Sequence, residues 1–436
     1  MELGQPTAVP GPATRAPARS APAQVSGSAA GVSLASLSDE EFRAGLRDWL
    51  AANLTGEFAG LRGAGGPGRE HEAFDERLAW DRRLSAAGWA TLSWPAEHGG
   101  RGATISQQMI FHEEYARADA PARVSHLGEQ LLGPTLIAFG TPEQRRRFLP
   151  AIASVTELWC QGFSEPGAGS DLASIATAGR LAGGHWEVTG QKVWTSLAHV
   201  ADWCFVLART EPGSRRSSGL SMLLVPMRQP GVTVRPIRQL TGTSEFNEVF
   251  FDGARTDADL VLGEPGEGWK VARYLLGVER GAATFGQQIQ FRREFDDIVA
   301  RARRGRSDPA LREKIARAWV GLEVLCACAV DTLAAADRPG AGTGAEASVM
   351  KVLWARWHKA LGELAMEVAG ARALVARAEP YELDAWQRLY LFSRADTIYG
   401  GSDEIQLGII AGRALGLPPE PSPSPAPAQA PAQGRA

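Results

Sequence analysis

Apolar side chains recur at helical spacing through the first third of the chain. Ser38-Asp-Glu-Glu41 is a capping box, with Ser at the N-cap and Glu three residues later, and it opens a segment in which Phe42, Leu46, Trp49 and Leu50 fall on one face. The pattern predicts an amphipathic helix. A glycine-rich loop over 56–68 separates it from a second helix expected over 70–87, and Thr141-Pro-Glu-Gln144 caps another, with Pro at N1 and Gln at N3. Residues 36–157 read as a helical domain. From Trp159 the texture changes to short β-prone runs, His185–Thr189, Trp203–Arg209, Ser221–Met227, Val232–Ile237 and Glu248–Phe251, separated by Gly-Gly, Pro-Gly and Ser-Gly breakers. These predict a β domain over 158–268. The helical period then returns over 269–417. One segment runs through about Arg304, a second is capped by Asp308-Pro309 and stopped by Arg338-Pro339-Gly340, a third starts near Ala345, and a last one is expected over 381–416. Residues 1–35 and 418–436 are Pro/Ala/Ser-rich with few large apolar side chains, and are expected to be disordered tails.

Length and charge narrow the picture. A chain of 436 residues exceeds what one core normally serves, in keeping with several packed domains. Lys+Arg 46 against Asp+Glu 49 leaves a formal charge of −3, with no basic excess for nucleic acid or an anionic membrane, and no apolar run reaches membrane-spanning length. The four cysteines, Cys160, Cys204, Cys326 and Cys328, are too scattered for a disulfide framework and lack metal-site spacing. They read as buried thiols of a cytoplasmic protein, with no metal site.

Candidate chemistry gathers in a few clusters. Trp159-Cys-Gln-Gly-Phe-Ser-Glu-Pro-Gly-Ala-Gly-Ser-Asp171 stands where helical texture meets sheet texture, and joins an aromatic, hydroxyls and glycines that let backbone N–H groups approach a ligand. Leu172 stands where a dinucleotide fingerprint needs its third glycine, so a plain glycine-rich turn is the other reading. In Gly190-Gln-Lys-Val-Trp-Thr-Ser196, Trp194 serves either a site or the sheet core. Glu279-Arg280 interrupts an apolar helix, with the small Ala282, Ala283 and Gly286 expected on the face of Glu279; a surface charge pair is the alternative. Tyr399-Gly-Gly-Ser-Asp-Glu404 reads either as a ligand loop or as a turn in which Ser402 or Asp403 caps a helix.

At these clusters the sequence resembles the acyl-CoA dehydrogenase family of flavoproteins. Trp94-Pro-Ala-Glu-His-Gly-Gly-Arg-Gly102, Glu113-Glu114, Gly140-Thr-Pro-Glu-Gln144, Phe163-Ser-Glu-Pro-Gly-Ala-Gly-Ser-Asp171, Gly190-Gln-Lys-Val-Trp-Thr195 and Ile398-Tyr-Gly-Gly-Ser-Asp-Glu-Ile-Gln406 stand in the family's order. The resemblance implies an α+β fold: an N-terminal helical domain, a middle β-barrel-like domain and a C-terminal four-helix bundle, with FAD between sheet and bundle. By position it implies that Gln161, Phe163 and Ser164 lie along the flavin. Trp194, Thr195 and Ser196 would form its tryptophan-containing wall, Ser170 would contact FAD phosphate or the acyl-CoA, and Ser402, Asp403 and Glu404 a loop near the cofactor, Glu404 in a structural role. Many relatives carry the catalytic glutamate inside the Tyr-x-Gly-Thr loop, where this chain has Gly400. A minority carries it on the first bundle helix before an arginine, which is the place of Glu279, with Arg280, Gly400 and Gly401 beside the substrate.

The implied activity is FAD-dependent α,β-dehydrogenation of an acyl thioester, with electron-transfer flavoprotein as electron acceptor. A flavin monooxygenase on the same fold and a non-catalytic partner subunit are the alternatives. The family's Arg-x-x-Phe-Gly segment is missing after Gln290, and Ala371-Arg-Ala-Leu-Val375 replaces its Phe-Gly-Gly motif. Both departures bear on assembly, expected to be a homo- or hetero-oligomeric dimer or tetramer.

Overall fold

The helix-start signals are realised as hydrogen bonds. In the computed structural model, which describes residues 37–279, 283–305, 308–336, 345–376 and 382–418, the Ser38 amide donates to Glu41 Oε2 at 2.8 Å and the Glu41 amide to Ser38 Oγ at 3.3 Å. This box opens α1 (Asp39–Asn53), which buries Phe42, Leu46 and Leu50. The second helix, α2 (Phe74–Ala86), begins later than its apolar pattern predicts. Ala73 adopts a left-handed φ of 44°, and the Arg77 guanidinium takes the Glu70 carbonyl at 2.9 Å, so the preceding residues fold as a turn. Next come α3 (Ile105–Arg117), a π turn over Leu127–Leu132, α4 (Gly133–Phe139) and α5 (Pro142–Ala153). The Thr141/Gln144 box closes on α5 as expected, at 3.1 and 3.2 Å. Trp94 is buried, its indole N–H donating to the Glu129 carbonyl of the π turn at 3.1 Å.

The middle of the chain forms an eight-stranded sheet. Its strands are β1 (Trp159–Gly162), β2 (Ala178–Ala182), β3 (His185–Ser196), β4 (Trp203–Arg209), β5 (Leu220–Pro226), β6 (Val232–Ile237), β7 (Phe246–Asp257) and β8 (Val261–Leu262). The order is β6-β7-β3-β2-β4-β5-β8, with β1 parallel on β4. Three strands escape the sequence pattern: β1 is short, β8 has two residues, and β2 (AGRLA) lacks β-branched side chains. β2 exists because a Gly183-Gly184 hairpin folds it onto β3, with Ala182 opposite His185. Alternate residues of β4 and β5 serve two cores. Phe205, Leu207, Met222 and Leu224 pack with Leu136, Phe148 and Leu275 of the helices, while Cys204, Val206, Leu223 and Val225 pack with Val188, Val249 and Phe251. Cys160 and Cys204 are the buried thiols foreseen, neighbours across the β1–β4 pair; Cys326 and Cys328 are only half-buried, because their helix is open to solvent on one side.

Five helices, α7 (Ala283–Ala302), α8 (Pro309–Ala336), α9 (Glu346–Ala369), α10 (Ala385–Phe392) and α11 (Asp403–Arg413), build the C-terminal part around Phe291, Phe295, Leu322, Met350, Trp354 and Leu361. The helix before them, α6 (Gly268–Glu279), packs on β5, α4 and the π turn. The single last helix expected over 381–416 is two helices. Asp384 caps α10 by accepting the Gln387 amide at 2.8 Å, Ser402 caps α11, and Gly400 and Gly401 between them take φ of 64° and 92° that no α-helix accommodates. The expected tails fall outside the described residues, Pro418 apart, as does the Arg338-Pro339-Gly340 stop. Among the described residues no helix is long and apolar enough to cross a membrane.

Candidate functional site

The sheet side of the site grows from a bulge near the end of β3. Pairing with β7 slips between Lys192 and Thr195, and Trp194 sits in the slip with φ 60°. The slip breaks the two-residue alternation: Lys192 and Thr195 point in, and Trp194 turns out, 57% exposed, its ring edge-on to Phe246 at 6.2 Å. Trp194 is therefore not sheet core. Thr195 is fully buried, yet its hydroxyl has no hydrogen-bond partner among the described residues, and neither has Oδ1 of Asn247, whose amide nitrogen donates to the Thr195 carbonyl at 3.1 Å. Ser196, the last residue of β3, is half-buried.

The segment after β1 lies against this bulge. Gln161 is half-buried on β1, the Phe163 ring belongs to the core edge-on to Phe205 at 6.0 Å, and the Ser164 carbonyl accepts the Val193 amide at 2.9 Å. Beneath them is a buried ion pair that the sequence reading did not single out. The Lys192 ammonium donates to Glu165 Oε1 at 2.8 Å and to the Phe163 carbonyl at 2.9 Å, while the Glu165 carboxylate accepts the Ala176 and Thr177 amides at 2.6 and 2.9 Å. Burial pushes Lys192 down to about 8. Burial also works against the charge on Glu165, but Lys192 and the amides outweigh it and hold the carboxyl below its usual range. The pair anchors both ends of the Glu165–Thr177 turn, which carries Ser170.

A cleft of about 650 Å³ brings Ser170 together with Ser402, Asp403 and Glu404, between Arg356 and Lys359 of α9. Ser402 Oγ accepts the Ile405 amide at 3.4 Å, and Arg356 Nε reaches Asp403 Oδ2 at 2.7 Å. The capping reading of this loop holds for Ser402, and the loop lines the cleft. Gly400 and Gly401 form the turn just before it, closed by Gln406 Nε2 on the Gly400 carbonyl at 3.0 Å; Gln406 Oε1 is buried without a partner among the described residues. A second group missed from the sequence lies behind this turn: His358 of α9, between Glu294 and Asp396. Nothing in its local sequence marks His358, since both partners are distant in the chain.

Glu279 is the last residue of α6; its side chain lies outside the described residues, as does all of Arg280. The shared face expected for Glu279, Ala282, Ala283 and Gly286 falls outside them too. What the described residues offer is an outward aromatic ring next in the chain to a buried orphan hydroxyl, and a hydroxyl-lined cleft that carries both cations, Arg356 and Lys359, and acids, Glu363, Asp403 and Glu404. These suit a large cofactor with an aromatic ring system and a polar tail.

Comparison with known proteins bears on the same regions. Residues 38–156, 160–254 and 266–415 match the N-terminal, middle and C-terminal domains of acyl-CoA dehydrogenase. The chain is 62% identical over 385 residues to acyl-CoA dehydrogenase IpdE1 of Mycobacterium tuberculosis, covering 87% of this chain and 98% of the relative. It is 58% identical over 393 residues to IpdE1 of Mycolicibacterium smegmatis, with the same coverage. Among solved structures, the Tcur3481-Tcur3483 steroid ACAD aligns at TM-score 0.75 with 29% identity, over 87% of this chain and 98% of that one. The ChsE4-ChsE5 complex of Mycobacterium tuberculosis aligns at 0.74 with 29% identity, over 87% and 97%. With all three domains in order on the fold described above, the chain belongs to the acyl-CoA dehydrogenase family of FAD-dependent oxidoreductases acting on CH–CH donors.

Proposed function

We propose that the chain dehydrogenates an acyl thioester, CoA- or carrier-bound, between Cα and Cβ to the trans-2-enoyl product, with Glu279 as the base. The observation that carries the cofactor half is the β3 bulge, which turns the Trp194 ring out to solvent at a strained φ. FAD, when bound, supplies a hydride acceptor for the Cβ–H bond.

In this reading Trp194 stacks as a wall and Thr195 and Ser196 offer hydroxyls. The Gln161–Ser164 segment, fixed by the Val193 amide and the Lys192 ammonium, lines the opposite edge, while Ser170 and Ser402 meet the polar tail in the cleft beside Lys359, with Asp403 pairing Arg356 and Glu404 keeping a structural role. Glu279 takes the α-proton, since the turn at Gly400 carries no carboxyl, and Arg280, Gly400 and Gly401 border the acyl group. Backbone or hydroxyl donors on the thioester carbonyl stabilise the charge left as the proton departs.

The names of the aligned structures speak of a steroid ACAD and of a complex of two different chains. On that likeness we extend the proposal to a bulky polycyclic acyl group and to assembly with a second, non-identical subunit; membership of the family adds electron-transfer flavoprotein as the proposed acceptor.

The test is anaerobic titration of the FAD-loaded protein with straight-chain, branched and polycyclic acyl-CoAs, following loss of visible flavin absorbance. Bleaching by the polycyclic members, slowed roughly two to four orders of magnitude in Glu279→Gln, is the expected result. A loaded protein that no thioester bleaches, or a Gln variant reduced within about threefold of wild type, would sink the assignment.

A further inference from the structure

The turn that ends at Ser402 is held from behind by a buried charge cluster. His358 Nδ1 meets Asp396 Oδ2 at 2.6 Å and its Nε2 meets Glu294 Oε2 at 2.9 Å, so both ring nitrogens face carboxylates. The groups around it come from each packed element. Glu294 stands on α7, its other oxygen taken by Gln290 at 3.1 Å, and the Phe291 ring of the same helix stacks on the imidazole at 4.4 Å. From α9 itself, the Lys351 ammonium reaches the Asp396 carbonyl and lies over the rings of Trp354 and Tyr399. From the turn, the Tyr399 hydroxyl donates to Asp396 Oδ1 at 2.9 Å. Asp396 is thus a hub: its carboxylate joins α7 and α9 through His358 and the turn through Tyr399. Thr397, Ile398 and Ser402, which follow it, line the cleft.

A neutral imidazole carries one N–H and can donate to only one of two carboxylates; a doubly protonated ring serves both. Burial alone would push His358 down, but Asp396 and Glu294 outweigh it and raise the ring to about 9. The bridge is therefore complete at neutral pH and loses one of its arms on the alkaline side.

We propose that His358 is a positioning residue of the cofactor cleft: as an imidazolium strung between Glu294 and Asp396, it fixes the Asp396–Ser402 turn against the bundle and so sets the affinity of the cleft for FAD. The inference rests on the cofactor reading above, but its test separates the two. His358→Leu and His358→Gln are prepared with the wild type, FAD is added to each apoprotein, and the dissociation constant is read from flavin fluorescence between about pH 6 and pH 9.5, the interval spanned by free and raised imidazole values.

Wild type should bind progressively more weakly as pH rises through about 9. The Leu variant should bind at least about tenfold more weakly at neutral pH, a loss of about 1.4 kcal/mol, and its affinity should run parallel to the cofactor's own titration with no further step. The Gln variant, with one donor arm, should fall between them. A purely structural histidine would lower melting temperature without removing a pH step. Variants that bind FAD within about twofold of wild type with the same pH profile would overturn the proposal, since an affinity change below about 0.4 kcal/mol is no positioning effect.

Should the variants fail to fold, hydrogen exchange of wild type alone decides. Peptides spanning 396–402 should lose protection between about pH 7 and pH 9.5, after correction for intrinsic rates and relative to β4. Unchanged protection there overturns the proposal. Wild type that binds no FAD at any pH refutes the cofactor reading instead, and the exchange measurement still tests the positioning of the turn.

Discussion

Lys192 shows what a single side chain contributes beneath the site. Its ammonium is wholly buried and meets a carboxylate that is 8% exposed, so removing one partner leaves a charge stranded in the core. Lys192→Met should cost about 3–5 kcal/mol, measured by chemical denaturation, and adding Glu165→Gln should recover most of it by removing the uncompensated carboxylate. The family resemblance brought Lys192 into view as part of a motif, but the chain does not announce that its partner lies 27 residues earlier. Trp194 is the converse case. Period-two reading leaves it open between core and wall, because a bulge is a one-residue slip that depends on the partner strand β7 and has no local signature beyond an unfavourable φ. Local hydrogen bonds are readable from sequence; contacts that wait on tertiary pairing are not.

Among the elements, caps are the most legible feature. The boxes at Ser38/Glu41 and Thr141/Gln144 form as their residue types dictate, and Thr141→Ala should cost about 1 kcal/mol in thermal or urea melts. The π turn was not foreseen, and what sustains it is close packing. A Cβ on Gly133 would stand 1.9 Å from the Trp94 ring, whose indole is hydrogen-bonded to that turn. Gly133→Ala should destabilise by about 1–3 kcal/mol or more, and near-wild-type denaturation would show that Trp94 can move aside. The α10–α11 break was hidden because the apolar period continues across it, although the Gly400-Gly401 pair that causes it was in plain view. At Gly400 the backbone φ of 64° disfavours any side chain, and Lys351 Cε stands 3.4 Å from an added Cβ. A glutamate there, where many relatives keep their base, therefore meets strain in this chain and a nearby cation. Gly400→Ala should cost about 1 kcal/mol, read from the denaturation midpoint.

For the whole molecule, two charge clusters bound the pH range of stability. Glu114, the second acid of the Glu113-Glu114 motif, is buried against Arg43, Arg47 and Arg117, and Arg47 above all holds its carboxyl down at about 2. Its contribution is in full force above the ordinary value of 4.5 and disappears as pH falls toward 2. His358 has the opposite sign: raised to about 9, it contributes fully below its ordinary 6.5 and fades as pH climbs through 9. Urea denaturation across pH should show each contribution as the difference between wild type and its variant, since His112, lowered to about 4 by burial, and Lys192, lowered to about 8, titrate in the same range. Glu114→Gln should flatten the acid limb and His358→Leu the alkaline one; a limb unchanged by its own substitution would assign it elsewhere. Domain order and the family were legible because they rest on local periodicity and short motifs, whereas the clusters that join helices were not. A last consequence follows from the left-handed tryptophan of β3. An L-residue at that φ costs about 1–2 kcal/mol, a debt that glycine would cancel, so a laboratory evolution campaign scoring heat resistance alone should keep returning Trp194→Gly. If Trp194 is the flavin wall proposed above, the hardier descendants should hold less FAD and be paler.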